Sequence, residues 1–428
     1  MSSADRRRRP VMLAGRGGST PQRRHRPDYI LLLISIVLLG VGLVVIYSIS
    51  PGLAIQKHVN EGYFVTKQLL AIGLGVIAFS IMALVPLASL RHLQKPLIGA
   101  AILATLAALV MPVSPEYPAH RWIHIAGLSL QSVELIKVAL LIWLATFLAS
   151  RVANKGIWRS TVVYQYLIGI VLILGLVVGV AQKDLGSTGV IVAMMGAMCF
   201  VAGLPLKRVM MAVVALVIGV TLLVLPFSYR RARLLTFTHP EQNCQTTSYQ
   251  ACQALIAVGS GGLFGKGLAH SVQDYGYLPE ASNDSIFAIL AEKFGFVGVT
   301  VLICLFMVFF SRLKNIMERA PDNFSRYILA GILAWLSTQS IINIGAMIGL
   351  LPLKGITLPF ISYGGTSIIF VTAVIGLAFN ISRYTTYGVN SDLVEANNET
   401  PENRKSFAKG VGLSRQPKKN PGVVRYVR

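Results

Sequence analysis

Asp284 is a carboxylate in an unfavourable place. The run Tyr277-Leu278-Pro279-Glu280-Ala281-Ser282-Asn283-Asp284 ends on it, and a long apolar stretch follows at once. Ionisable groups at membrane depth are costly unless paired or hydrated, so they mark pathways or reaction centres. A positioned carboxylate can take the proton of a weak nucleophile as a new bond forms, which makes Asp284 a candidate general base. Three further polar groupings interrupt apolar sequence. Gln131, Glu134 and Lys137 stand at spacing three, on one helical face, and Glu134 with Lys137 can form an ion pair. Gln182, Lys183 and Asp184 separate two apolar runs, and Gln339 with Asn343, four apart, share a face. A single such group would be interhelical glue. Three of them together point to a hydrated cavity with Asp284 at its rim.

Basic residues supply the second half of the pattern. Arg230, Arg231 and Arg233 follow one apolar run, and His120, Arg121 and His124 sit between two others. They can snorkel to headgroups. Guanidinium groups also suit bidentate binding of phosphate, and a lipid-linked pyrophosphate would bring that anion to this depth.

The elements that position these residues are membrane helices. The chain is 54% hydrophobic and 13% charged, with a mean hydropathy of +0.64. Many apolar runs reach the roughly 20 residues that cross a bilayer core. They are continuous rather than alternating, so an all-α polytopic membrane protein is expected and a β-barrel is excluded. About ten spans are expected near 29–50, 64–87, 96–113, 133–151, 163–181, 184–203, 207–226, 284–311, 326–350 and 364–386. They form one membrane domain, 29–386, between basic tails at 1–28 and 387–428. Both tails are expected to be cytoplasmic, because lysine and arginine concentrate inside. Segments 51–63, 114–132, 227–283 and 351–363 then face outward, the third being a large loop between helices 7 and 8. No internal repeat is visible.

Several other readings fall away. The two tails carry +10 of the net charge of +22; they lack the aromatic elements of a nucleic-acid binder and suit anionic lipid instead. The first apolar run has no small-residue cleavage site, so no cleavable signal peptide is expected. Gly259-Ser260-Gly261-Gly262-Leu263-Phe264-Gly265-Lys266-Gly267 is not a P-loop, since Ser260 and Gly267 occupy its Gly and Ser/Thr positions. Its glycines suit tight turns at the membrane surface. Cys199 and Cys304 fall in spans, while Cys244 and Cys252 share the outer loop, where a disulfide is feasible. Zinc is not expected, because His239 and His270 make no pattern with them.

Five motifs, in order, resemble the SEDS family of FtsW, RodA and SpoVE proteins. They are Arg121-Trp122-Ile123; Gln131-Ser132-Val133-Glu134 with Lys137; Gln182-Lys183-Asp184-Leu185-Gly186-Ser187; Leu278-Pro279-Glu280 with Asp284; and Leu358-Pro359-Phe360-Ile361-Ser362-Tyr363-Gly364-Gly365. The resemblance implies a ten-helix glycosyltransferase that polymerises lipid II at the outer face of the cytoplasmic membrane, with undecaprenyl pyrophosphate leaving. It implies Asp284 as the catalytic residue. Arg121, Glu134, Lys137, Asp184, Arg230, Arg231, Arg233, Glu280 and Ser362 are the expected substrate-binding set. No firmly bound cofactor or protein-held metal is expected, although a divalent cation could accompany the pyrophosphate. Expected partners are a class B penicillin-binding protein transpeptidase and other cell-division membrane proteins, with no nucleic acid. The Lys354-Gly355 and Thr357 positions resemble the FtsW branch, which implies septal wall synthesis. Two departures stand out: Ser282-Asn283-Asp284-Ser285 replaces His-Thr-Asp-Phe, and Lys183 replaces a proline. A lipid II flippase, or a non-catalytic scaffold that recruits a transpeptidase, are the competing readings.

Overall fold

The computed structural model describes residues 22–24, 26–112, 120–125, 128–152, 161–205, 207–208, 211, 214, 244–246, 248–268 and 270–386. Most of both basic tails, nearly all of the span expected at 207–226, and Arg230, Arg231, Arg233 and His239 lie outside the described residues. The unit Arg24–Thr385 contains every helix named below.

The helices are α1 (Tyr29–Lys57), α2 (Tyr63–Leu84), α3 (Leu87–Val110), α4 (Ser132–Val152), α5 (Thr161–Leu174), α6 (Leu185–Val201), α7 (Tyr249–Ser260), α8 (Ile286–Glu318), α9 (Asn323–Met347) and α10 (Gly365–Ile381). All but α7 fall on an expected span. Six are long and apolar enough to cross a membrane, namely α1, α2, α3, α4, α8 and α9. α5 with the π-helical turn that continues it, α6 and α10 are shorter apolar helices. Buried residues make up 72% of the apolar window of α4 and 61% of that of α9, against 17% for α3. α4 and α9 therefore stand at the centre of the bundle, while Leu103, Leu172 and Met307 turn outward. This is a polytopic helical membrane fold.

Small residues set the close approaches between helices, as van der Waals packing in lipid requires. α2 and α10 meet where a Cβ on Gly376 would lie 2.4 Å from the Phe79 carbonyl oxygen. The entry to α1 is capped by Asp28, whose Oδ1 accepts from the Leu31 N–H at 2.9 Å.

Two features depart from an uninterrupted set of spans. The segment expected as loop 114–132 carries a hairpin, β1 (Trp122–Ile125) against β2 (Leu128–Gln131), antiparallel with Trp122 opposite Gln131. Gln131 therefore ends a strand, and only Glu134 and Lys137 share the α4 face. The second feature is a break in α8. Gly295 adopts φ 64° and ψ −165°, dividing the helix into a short part, 286–294, and a longer part, 296–318. The glycine-rich loop fills the break. The Gly262 and Leu263 carbonyls accept from the Phe296 and Val297 N–H groups at 2.9 and 3.0 Å. The Lys266 and Gly267 N–H groups donate to the Glu292 and Lys293 carbonyls at 2.9 and 3.0 Å. A Cβ on Gly265 would lie 2.1 Å from the Lys293 oxygen, so no other residue fits that approach. Two ion pairs brace it: Lys266, half-buried, to the buried Glu292 at 3.0 Å, and the fully buried Lys293 to Asp274 at 2.6 Å.

Candidate active site

Asp284 precedes α8 by two residues, outside the helix rather than within the span expected at 284–311. Its backbone is held from three directions. Glu280, at φ 52°, turns the chain so that its carbonyl accepts from Asn283 N–H at 2.9 Å and Ser285 N–H at 3.1 Å. Asn343 of α9 donates to the Asp284 carbonyl at 2.7 Å and to the Ile356 carbonyl at 2.6 Å. Ser362 donates to the Asn283 carbonyl at 2.6 Å and accepts from Leu358 N–H at 2.7 Å. These bonds join the residues just before α8 to the segment 356–363.

The Asp284 side chain is half-buried, and it borders an open pocket lined also by Ile342, Asn343, Ala346, Met347, Lys354, Gly355 and Ile356. Gly355, at φ 62°, leaves room on the pocket wall. A Cβ there would sit 3.6 Å from Asp284 Oδ2 and 4.0 Å from Arg121 Nη2, so carboxylate and guanidinium converge on the same space. Burial pushes the Asp284 carboxyl up to about 7, helped by the negative charge of Glu280. Hydrogen bonds from its own backbone and from Gln250, and the Arg121 charge, pull the other way. Its remaining edge on the pocket keeps it within reach of a proton donor.

Arg121 enters from the hairpin end and is fixed by Asp184. Its Nη1 lies 3.4 Å from Asp184 Oδ2, and the aspartate is fully buried. Asp184 is the N-cap of α6, accepting from Ser187 N–H at 2.9 Å and from Ser187 Oγ at 2.9 Å. Gln131 Nε2 donates to the same carboxylate at 3.4 Å. A residue at φ 56°, Lys183, makes the turn that delivers Asp184 to this position.

Glu134 and Lys137 pair at 2.7 Å in the bundle interior. Lys137 Nζ also donates to Gln339 Oε1 at 3.3 Å, and Gln339 Nε2 donates to the Thr357 carbonyl at 3.0 Å. The ion pair thus connects to the strand of loop that carries Gly355 and Ile356. Of the expected substrate-binding residues, Arg121 comes near Asp284, and Asp184 holds Arg121. Glu134 and Lys137 stand behind them, and Ser362 fixes the backbone. Glu280 is exposed and accepts from the Asn283 amide, so Asn283 does not reach Asp284 in place of the missing histidine. Arg230, Arg231 and Arg233 lie outside the described residues.

Gln250 was not anticipated. Its Nε2 lies 3.4 Å from Asp284 Oδ1 and 3.1 Å from Ser285 Oγ. The signal was a proline-free run, 249–258, that forms α7 inside the segment expected as the loop 227–283. Cys244 and Cys252 form a disulfide at its start, Cα to Cα 5.6 Å. Among the described residues no cluster of three or more His, Cys, Asp or Glu could hold a metal ion.

Comparison with known proteins gives this arrangement relatives. Residues 29–387 match the FtsW/RodA/SpoVE family of cell cycle proteins. Stage V sporulation protein E of Bacillus subtilis is 36% identical over 366 residues, covering 85% of this chain and 99% of that protein. A probable peptidoglycan glycosyltransferase FtsW of Saccharophagus degradans is 35% identical over 361 residues, covering 83% and 92%. Among solved structures, a chain of a peptidoglycan synthase complex that coordinates polymerization and crosslinking superposes with a TM-score of 0.67 at 26% identity, covering 83% of this chain and 98% of that one. The rod shape determining protein RodA of Thermus thermophilus gives 0.60 at 26%, covering 83% and 97%. The chain belongs to the FtsW/RodA/SpoVE family.

Proposed function

We propose that this protein is a peptidoglycan glycosyltransferase that polymerises lipid II. The observation that carries the reading is the convergence of Asp284 Oδ2 and Arg121 Nη2 over Gly355, beside the pocket that Asp284 and Gly355 line. A carboxylate there can receive a proton, and a guanidinium there can hold an anion. In the reaction, an oxygen–carbon bond forms between a sugar hydroxyl and an anomeric carbon. The bond from that carbon to the pyrophosphate oxygen breaks, and its electron pair leaves with undecaprenyl pyrophosphate. Asp284 takes the hydroxyl proton, and Arg121, steadied by Asp184, offsets charge building on the leaving group. The relatives named as glycosyltransferases support this assignment.

A divalent cation carried on the substrate pyrophosphate, rather than held by the protein, belongs to the same proposal. So do an outward-facing site with both termini cytoplasmic, a place at the division septum, and a class B penicillin-binding protein as partner. The resemblance to a chain of a peptidoglycan synthase complex supports a transpeptidase partner.

The test is polymerisation of lipid II by purified protein, with and without the partner, for wild type and Asp284→Asn. Wild type should build glycan strands and the variant should insert and fold yet build none. Polymer from the variant removes Asp284 from the mechanism.

A further inference from the structure

From the geometry of α7 we infer that Gln250 is a positioning residue for Asp284, and that the Cys244–Cys252 disulfide is the tether that presents it. This inference rests on the role proposed for Asp284. Four observations meet here. The Gln250 amide nitrogen faces both Asp284 Oδ1, at 3.4 Å, and Ser285 Oγ, at 3.1 Å. Ser285 in turn donates to the Pro279 carbonyl at 2.9 Å. Gln250 therefore touches the carboxylate and the hydroxyl that closes its turn. It lies in the first turn of α7, between the bridged cysteines, two residues before Cys252. Cys252 is 5% exposed and its N–H donates to the Ser248 carbonyl at 2.9 Å, so the bridge anchors the start of α7 from the buried side.

The physical need for such an anchor is clear from the rest of the site. The backbone of Asp284 is fixed by Asn343, but the carboxylate itself has one side-chain donor within hydrogen-bond reach among the described contacts, and that donor is Gln250. The charged groups that act on the carboxylate are Glu280 on its own loop and Arg121 from the hairpin, and Lys354 also lines the pocket. They set its field but not its orientation. A neutral amide adds direction without a compensating charge, which suits a base that must stay able to accept a proton. An amide on an untethered outer helix would lose its aim through side-chain and segment freedom. Closing a short loop across the bridge removes much of that freedom.

The experiment uses full-length protein in lipid nanodiscs. Gln250→Met keeps side-chain length and removes the donor; Gln250→Glu keeps the shape and adds a negative charge. Both should lower kcat with KM within about twofold, the methionine variant by about fivefold as for one hydrogen bond. Both should move the pH midpoint upward, glutamate further than methionine. Dithiothreitol should reproduce the methionine effect: it gives up two electrons and two protons to the bridge, yielding two thiols, and closes to its own disulfide. A Cys244→Ser/Cys252→Ser variant should show that effect without reductant and no further response to it. Carbodiimide labelling of Asp284, read by peptide mass spectrometry against Glu280 on the same peptide, follows the carboxyl independently of turnover. Its midpoint should shift in the same order. Labelling curves that coincide for wild type and both Gln250 variants overturn the inference, whatever the enzyme makes. Shifted labelling with unimpaired polymerisation instead confirms the contact and counts against Asp284 as the base.

Discussion

Replacing Lys137 by methionine asks how buried charge in α4 supports the site. Lys137 Nζ lies 2.7 Å from Glu134 Oε1, and the two side chains are 2% and 4% exposed. Methionine keeps most of the volume, so the main change is a carboxylate left alone in the bundle interior, with Oε2 already lacking a partner. Breaking a buried pair from one side costs about 3–5 kcal/mol. That is a fall of roughly two to four orders of magnitude in the folded-to-unfolded ratio. Removing both charges with Glu134→Leu/Lys137→Met should recover stability to within about 1 kcal/mol of the parent, because neither ion then needs solvation. Reversible unfolding in mixed micelles by sodium dodecyl sulfate reads this through tryptophan fluorescence. Trp335 is the local reporter, since the Lys137 ammonium lies 4.4 Å from its ring centre. The four proteins of the cycle give the coupling directly. A single variant within about 1 kcal/mol of the parent, or a double variant as unstable as the single, refutes the reasoning and means that water already reaches the pair.

Two more outcomes follow from the geometry. Polymerisation should rise about tenfold from pH 6 to pH 8, because a carboxyl titrating near 7 passes from roughly a tenth to nine-tenths ionised and a base works ionised; initial rates across that range check it, and a flat profile counts against the assignment. Gly265→Ala should destabilise by about 2 kcal/mol or more, since φ is 81° and the added Cβ meets the Lys293 oxygen at 2.1 Å, whereas Gly259→Ala meets nothing within 4 Å and should unfold like the parent.

The spans among the described residues were legible because a bilayer demands long apolar runs, and the Glu134–Lys137 pair because three residues is about one helical turn. Asp184 was legible as a polar interruption, though not as the N-cap that holds Arg121. Four-residue strands such as Leu128–Gln131 are too short to announce a period of two, so the hairpin read as loop and Gln131 was placed on the wrong element. Hydropathy could not see the break at Gly295, since an isolated glycine within an apolar run is tolerated in a helix. Gln250 was hidden for a different reason. Its partner lies 34 residues away, and only the folded chain between them brings them together.

The break in α8 separates two demands that one helix would otherwise have to meet at once. Residues 296–318 answer to the bilayer, whose thickness and composition vary and which span tilt accommodates. The short segment, 286–294, follows directly on Asp284 and is buried nearly throughout. One residue, Gly295, divides them, and the angle between them is written by the backbone of 262–267 rather than by either helix. Substitutions on the lipid-facing side can therefore follow a changing membrane without re-aiming Asp284. The glycine-rich loop works as a bracket, insulating a chemical geometry from a mechanical environment.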